Sequence, residues 1–163
     1  MTIAIEVETR IERPRGDVFA ELSAVERFPE WLIASGIVKV ERLDSGRLAV
    51  GSPVRIAQRV GGRSTVLDGA ITELEPDRAF GLRGRDPDGV TIEIGAALAA
   101  TAGPGTRLRW SLRIALPLRF RMFESMVAPG VQRAATLDLE AFKRHLESVA
   151  EVPAPSPPSP RPR

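Results

Sequence analysis

Residues 54–71 read Val54-Arg55-Ile56-Ala57-Gln58-Arg59-Val60-Gly61-Gly62-Arg63-Ser64-Thr65-Val66-Leu67-Asp68-Gly69-Ala70-Ile71. Two alternating runs meet at Gly61-Gly62, a pair that accepts the positive φ of a two-residue hairpin turn. With that turn, Val60 pairs with Arg63, Gln58 with Thr65, Ile56 with Leu67 and Val54 with Gly69. Val54, Ile56, Gln58, Thr65, Leu67 and Ile71 then share one face, which is mostly apolar and should point inward. Arg55 and Asp68 oppose each other on the outer face. A slip of one residue would exchange the two faces.

The same punctuation continues on both sides of this hairpin. Asp44-Ser45-Gly46, Glu75-Pro76-Asp77, Asp86-Pro87-Asp88-Gly89 and Ala102-Gly103-Pro104-Gly105 are turn signals. They delimit six strands at about 37–44, 47–60, 63–75, 79–86, 90–101 and 106–116, joined as an antiparallel meander. Before them, Ile3, Ile5, Val7, Thr9 and Ile11 alternate with charged residues as a further strand. A short helix should start at Gly16-Asp17, and a second one after Pro29, around Glu30 to Ile33. After Pro117 a helical pattern runs to about Ala150, with Val131, Ala135, Leu139, Phe142, Leu146 and Val149 on one stripe. Pro129-Gly130 should kink or break it.

These elements predict an α+β domain over residues 1–150 and a disordered Pro-rich tail over 151–163. Seven strands make one antiparallel sheet, whose apolar face only the C-terminal helix is large enough to cover. A bent sheet wrapped around that helix follows, and such a wrap tends to leave apolar space that one helix cannot fill.

Composition narrows the chemistry. The 163 residues include no Cys, Tyr or Asn and a single His, His145. Cysteine-based nucleophiles, metal sites and clusters are therefore excluded, as are two-histidine metal motifs and phenolic acids. No metal and no cofactor is implied. No run approaches the ~20 apolar residues of a membrane span, and the N-terminus begins directly as a strand, so a cytoplasmic location is expected. Net charge is +2, and arginines such as Arg55, Arg59, Arg83, Arg85, Arg107, Arg109 and Arg113 belong to a solvated sheet face. Without interleaved aromatics they do not make a nucleic-acid surface.

Several phrases resemble the START-like, helix-grip (Bet v 1-like) superfamily that includes polyketide cyclase/dehydrase-type proteins, also called SRPBCC. They are Arg13-Pro14-Arg15-Gly16-Asp17-Val18-Phe19, Arg27-Phe28-Pro29-Glu30-Trp31, Gly51-Ser52-Pro53-Val54-Arg55, Gly105-Thr106-Arg107-Leu108 and Leu137-Asp138-Leu139-Glu140-Ala141-Phe142-Lys143. The resemblance spans about residues 3–148 and implies a helix-grip fold with a ligand cavity. It covers ring-forming enzymes, carriers and receptors alike, so the fold does not name the activity. Aromatase/cyclase members have a pocket Tyr where this chain reads Ala34-Ser35-Gly36, and an Arg where it reads Gly69-Ala70-Ile71.

The expected ligand-binding residues are Val54, Ile56, Gln58, Thr65, Leu67 and Ile71, with Phe80 and Leu82 from the next strand. Trp110 and Leu112 join them from the last strand, on the same face as Leu108 and Ile114. Trp31 and Trp110 are either pocket aromatics or core. Gln58 and Thr65 are either ligand anchors or groups that satisfy each other or a trapped water. Met126 and Val127 should close one end of the cavity, within an apolar segment over 116–127 that also carries Arg119 and Arg121. That segment is read as a portal or packing surface, with membrane contact the alternative. The one carboxylate that could act inside is Glu93, if counting across Asp86–Gly89 places it beside Phe80 and Leu82. His145 is expected on an exposed flank, with only the helix C-terminus for a partner.

The expected function is binding of a hydrophobic small molecule without catalysis. A polyketide cyclase, aromatase or dehydratase is the first alternative, and a lipid or quinone carrier the second.

Overall fold

A computed structural model describes residues 2–149; the expectations for the 151–163 tail lie outside them. Seven strands form one antiparallel sheet: β1 (Thr2–Ile11), β2 (Ile37–Arg42), β3 (Pro53–Val60), β4 (Arg63–Glu75), β5 (Ala79–Arg85), β6 (Thr91–Thr101) and β7 (Gly103–Ala115). Their order across the sheet is β1-β7-β6-β5-β4-β3-β2, a meander closed at one edge by the N-terminal strand. Helix α1 (Arg15–Ser23) and a 3-10 turn (Val25–Glu30) link β1 to β2. A second 3-10 turn (Leu118–Phe123) leads into the long helix α2 (Glu124–Val149). This is the helix-grip arrangement. No described helix is long and apolar enough to cross a membrane.

The hairpin at Gly61-Gly62 has the pairing that a two-residue loop dictates, from Val60 with Arg63 to Val54 with Gly69. Both turn glycines have positive φ. Val54, Ile56, Leu67 and Ile71 are buried on the inner face, while Arg55 and Asp68 form an outer ion pair at 2.8 Å. In β7, Leu108, Trp110 and Leu112 are buried, whereas Arg107 and Arg109 reach Glu8 and Glu6 of β1 on the outside. Gly69 of β4 pairs with Gly84 of β5. A Cβ on Gly69 would collide with the Arg83 carbonyl and lie 2.7 Å from the Gly84 Cα. Only glycine permits that approach.

Four local readings need correction. β3 begins at Pro53 rather than near residue 47, because the segment before it turns, with Ser52 donating its amide to the Ala49 carbonyl and accepting the Ala49 amide on Oγ. The second short helix comes earlier than Glu30–Ile33: it is the 3-10 turn Val25–Glu30, with Pro29 inside it. Helix α2 runs through Pro129 unbroken. Proline there removes only the bond to the Ser125 carbonyl, one turn from the helix start, where both residues are exposed and water can serve the freed carbonyl.

His145 is the fourth. It is not a free flank residue. Its Nε2 lies 2.9 Å from Glu21 Oε1, with Glu30 at 3.7 Å, so the end of α2 is tied to α1 and the turn after it. Arg27 bridges the same two carboxylates at 3.1 Å each. The hydrogen bond from Arg27, then its charge, hold the Glu30 carboxyl below its ordinary value despite some desolvation. The sequence shows no contact between residues 124 positions apart.

Candidate functional site

The two halves of α2 present different side chains to the sheet. Toward its C-terminus it offers Leu139, Phe142 and Leu146, all buried. Toward its N-terminus it offers Val127, Gly130, Val131 and Ala134, one face of smaller residues at helical spacing. Large side chains fill one end of the grip, and small ones leave the other end open.

The filled end is aromatic. Phe28 and Trp31 enter from the 3-10 turn and its exit. Trp31 packs on Phe142 at 4.4 Å between ring centroids and meets Trp110 edge-on at 5.6 Å; Phe28 meets Phe80 edge-on at 6.0 Å. Edge-on and tilted contacts suit aromatic quadrupoles. The Trp31 indole N–H is sealed with no acceptor among the described residues. Trp31, Val54, Ile71 and Phe80 are thus core, at most 1% exposed, and line neither the open end of the grip nor its mouth. Ile56, Leu67 and Leu82 face a void of about 20 Å³, room for about one water.

The open end is a cavity of about 290 Å³. Its sheet wall is Ile92, Ile94, Trp110, Leu112 and Ile114, and its helix wall is the small face of α2. Leu32, Ala34, Ser35 and Ile37 close it together with Gln58 and Val60 of β3, where Gln58 pairs with Ile37. No charged side chain among the described residues lines it. A second cavity of about 270 Å³ shares Gln58, Val60 and Val127 with the first and continues outward. Thr65 borders this outer space together with Arg63, Asp86, Asp88, Phe120 and Phe123.

Of the residues expected from the sequence, Gln58, Trp110, Leu112 and Val127 line the inner cavity, and Thr65 the outer one. Met126 does not close it. At 72% exposure its side chain points to solvent, off the edge of the small face. Glu93 is also misplaced by counting across the turn. Leu82 pairs with Ile94 and Arg83 with Glu93, so Glu93 is on the outer face, 3.5 Å from Arg83. The alternation Ile92, Ile94, Ala96, Leu98 within β6 carries that signal and overrides the turn.

Gln58 and Thr65 do not satisfy each other. Gln58 donates its Nε2 to the Ser35 carbonyl at 2.9 Å. The same Ser35 donates its amide to Asp138 Oδ2 at 3.0 Å, and the Ala34 amide donates to Oδ1 at 2.7 Å. Asp138 is 1% exposed, a charged side chain among α2's buried residues. Burial pushes its carboxyl above the ordinary value, while the Ser35 hydroxyl and the two amides pull it back. Ser35 and Gln58 make the polar corner of the inner cavity, with Asp138 buried behind Ser35. Sequence reasoning found Gln58 and missed the other two. An aspartate one residue before Leu139, on the helix stripe side, was the available signal.

The outer mouth is roofed by the 118–123 turn. Arg119 donates to the Asp88 backbone carbonyl, and Arg63 pairs with the Asp88 carboxylate at 3.0 Å. The turn is thereby pinned to the β5–β6 connection. Leu118 and Met122 remain exposed on it.

Residues 2–147 match the model of a family described as polyketide cyclase / dehydrase and lipid transport. The chain is similar in structure to the Zhui aromatase/cyclase from a Streptomyces species, with a TM-score of 0.75 at 18% identity, covering 93% of this chain and 98% of that one. It is similar to a START superfamily protein from Mycobacterium smegmatis, with a TM-score of 0.75 at 14% identity, covering 90% and 98%. It is also similar to Ara h 8.0201, with a TM-score of 0.65 at 12% identity, covering 91% and 99%. No curated protein matches the sequence.

Proposed function

We propose, from the premise that this chain belongs to the polyketide cyclase/dehydrase and lipid transport family, that it binds a hydrophobic small molecule between α2 and the sheet. The observation that carries this reading is the inner cavity itself. It is apolar on three sides, free of charged side chains among the described residues and polar at one corner, the composition of a site that orients an apolar ligand through one or two hydrogen bonds. The continuous outer space supplies a route in.

A ring-closing or dehydrating enzyme is the second reading. The Zhui aromatase/cyclase has the same fold. Such chemistry needs a base and a donor for the developing oxyanion. Glu93 is excluded as the base by its outer position. Ser35, whose hydroxyl favours the Asp138 carboxylate, is the group on the cavity wall that could relay a proton. A carrier of lipids or quinones would use the same cavity, with the 118–127 segment at its mouth.

Native mass spectrometry of the protein as purified, followed by extraction, tests binding against turnover. The binding reading expects an apolar molecule that is released unchanged. A released molecule that the protein converts on re-addition would move the assignment to the enzyme.

A further inference from the structure

The polar corner restricts which hydrophobes fit. Resting on the ligand-binding reading above, we infer that the cavity selects an uncharged molecule bearing a hydroxyl or similar hydrogen-bond donor, and rejects one bearing a carboxylate. Gln58 is the determinant. Its amide nitrogen is committed to the Ser35 carbonyl, which fixes the amide orientation, because a carbonyl can only accept. Its Oε1 therefore faces away from Ser35. That oxygen has no protein donor among the described residues and is not sealed, on a side chain that borders both cavities. It is an acceptor waiting for a donor.

The surrounding charge points the same way. Behind Ser35 lies the Asp138 carboxylate, held by amides and a hydroxyl with no cation among its partners. Among the described residues the inner wall has no Arg or Lys to offset a second negative charge. At the mouth, Arg63 and Arg119 are both engaged by Asp88, and Asp86 stands beside them, so no net positive charge invites an anion. A ligand carboxylate placed inside would lose its water and face Gln58 Oε1, with the Asp138 carboxylate behind Ser35 and only a neutral Gln58 N–H in place of a cation. A hydroxyl donates to Oε1 and still has a lone pair for the second Gln58 N–H.

The test uses 2-naphthol, naphthalene and 2-naphthoate at pH 7, titrated into the full chain by tryptophan quenching and calorimetry. We expect 2-naphthol to bind about 3- to 10-fold tighter than naphthalene, the net effect of one hydrogen bond. We expect 2-naphthoate to bind roughly 10-fold weaker than naphthalene or not at all. Gln58→Met keeps the volume and removes the acceptor, so within that variant 2-naphthol should bind no tighter than naphthalene. Circular dichroism confirms that the variant is folded. Equal binding of all three, or tightest binding of 2-naphthoate, overturns the selectivity and leaves the binding reading standing. A preference for 2-naphthol that survives Gln58→Met removes Gln58 as its cause. Failure of all three to bind overturns the cavity reading and this inference with it.

Discussion

Asp138, on the buried face of α2, accepts the backbone amide of Ala34 at 2.7 Å, more than a hundred residues earlier in the chain. With the Ser35 amide at 3.0 Å, this makes a capped turn out of a segment that has no strand or helix of its own. The turn is one wall of the cavity, so the carboxylate that stabilises it also shapes the site. Asp138→Ala orphans both amides, at a cost of about 1–3 kcal/mol each, partly offset by removing a desolvated charge. A net loss of about 2–4 kcal/mol is expected in urea titrations.

The same residue sets a pH dependence. Its carboxyl titrates above the ordinary value because it is buried, so the folded state holds its proton where the unfolded chain has lost it. Stability from this group falls as pH rises through that window and is regained as pH is lowered toward the ordinary carboxylate range. The gap in denaturation midpoint between the native chain and Asp138→Ala should therefore widen as pH is lowered from neutral toward the ordinary carboxylate range. A gap that narrows over this range would mean the folded carboxyl is not raised.

Phe142 and His145 occupy the same helix end in different ways. Phe142 is fully buried against Trp31, and Phe142→Ala should cost about 3–5 kcal/mol. His145→Ala removes a 2.9 Å partner from the buried Glu21, which keeps Arg27. A smaller loss, about 1 kcal/mol, is expected in the same titration. Similar losses for both would mean that the Glu21–Arg27–Glu30–His145 cluster, not the aromatic packing, anchors the helix.

The register of the Gly61-Gly62 hairpin was legible because one turn and two alternating strands all point to the same pairing. The meander from β2 to β7 followed from the turn signals and the covering helix from element count, whereas the place of β1 beside β7 did not. Two further things were not legible. Whether the grip is filled at a given height depends on how far Phe28 and Trp31 reach inward, and their turn makes its contacts through tertiary packing. Hence Trp31, Val54, Ile71 and Phe80 share the inner side of the molecule with the cavity yet do not touch it. The Glu21–His145 and Ala34–Asp138 pairs join distant segments and leave no periodic trace. The small face of α2, Val127-Gly130-Val131-Ala134, was readable in principle, since small residues opposite a sheet leave space.

Gly36 closes the cavity-wall turn with φ of 73°, and its carbonyl accepts the Arg59 amide at 2.7 Å. A Cβ there would overlap the Arg59 carbonyl, so Gly36→Ala must both strain the backbone and push β3 away. A loss of about 2–4 kcal/mol is expected, accompanied by amide chemical-shift changes centred on residues 34–37 and 58–60. A variant with unchanged stability would show that this wall yields freely.

The central claim is that a hydrophobic ligand occupies the space beside the small face of α2. Ala134 is the residue to change, because it lines the inner cavity and a larger side chain there enters the void instead of displacing core. The measurement is calorimetric titration of 2-naphthol into the native chain and into Ala134→Phe, with thermal unfolding of both. The expected result is micromolar-order binding to the native chain, weakened at least 10-fold in Ala134→Phe at an unchanged or higher melting temperature. Undiminished binding to a folded Ala134→Phe variant would place the ligand elsewhere and contradict the account.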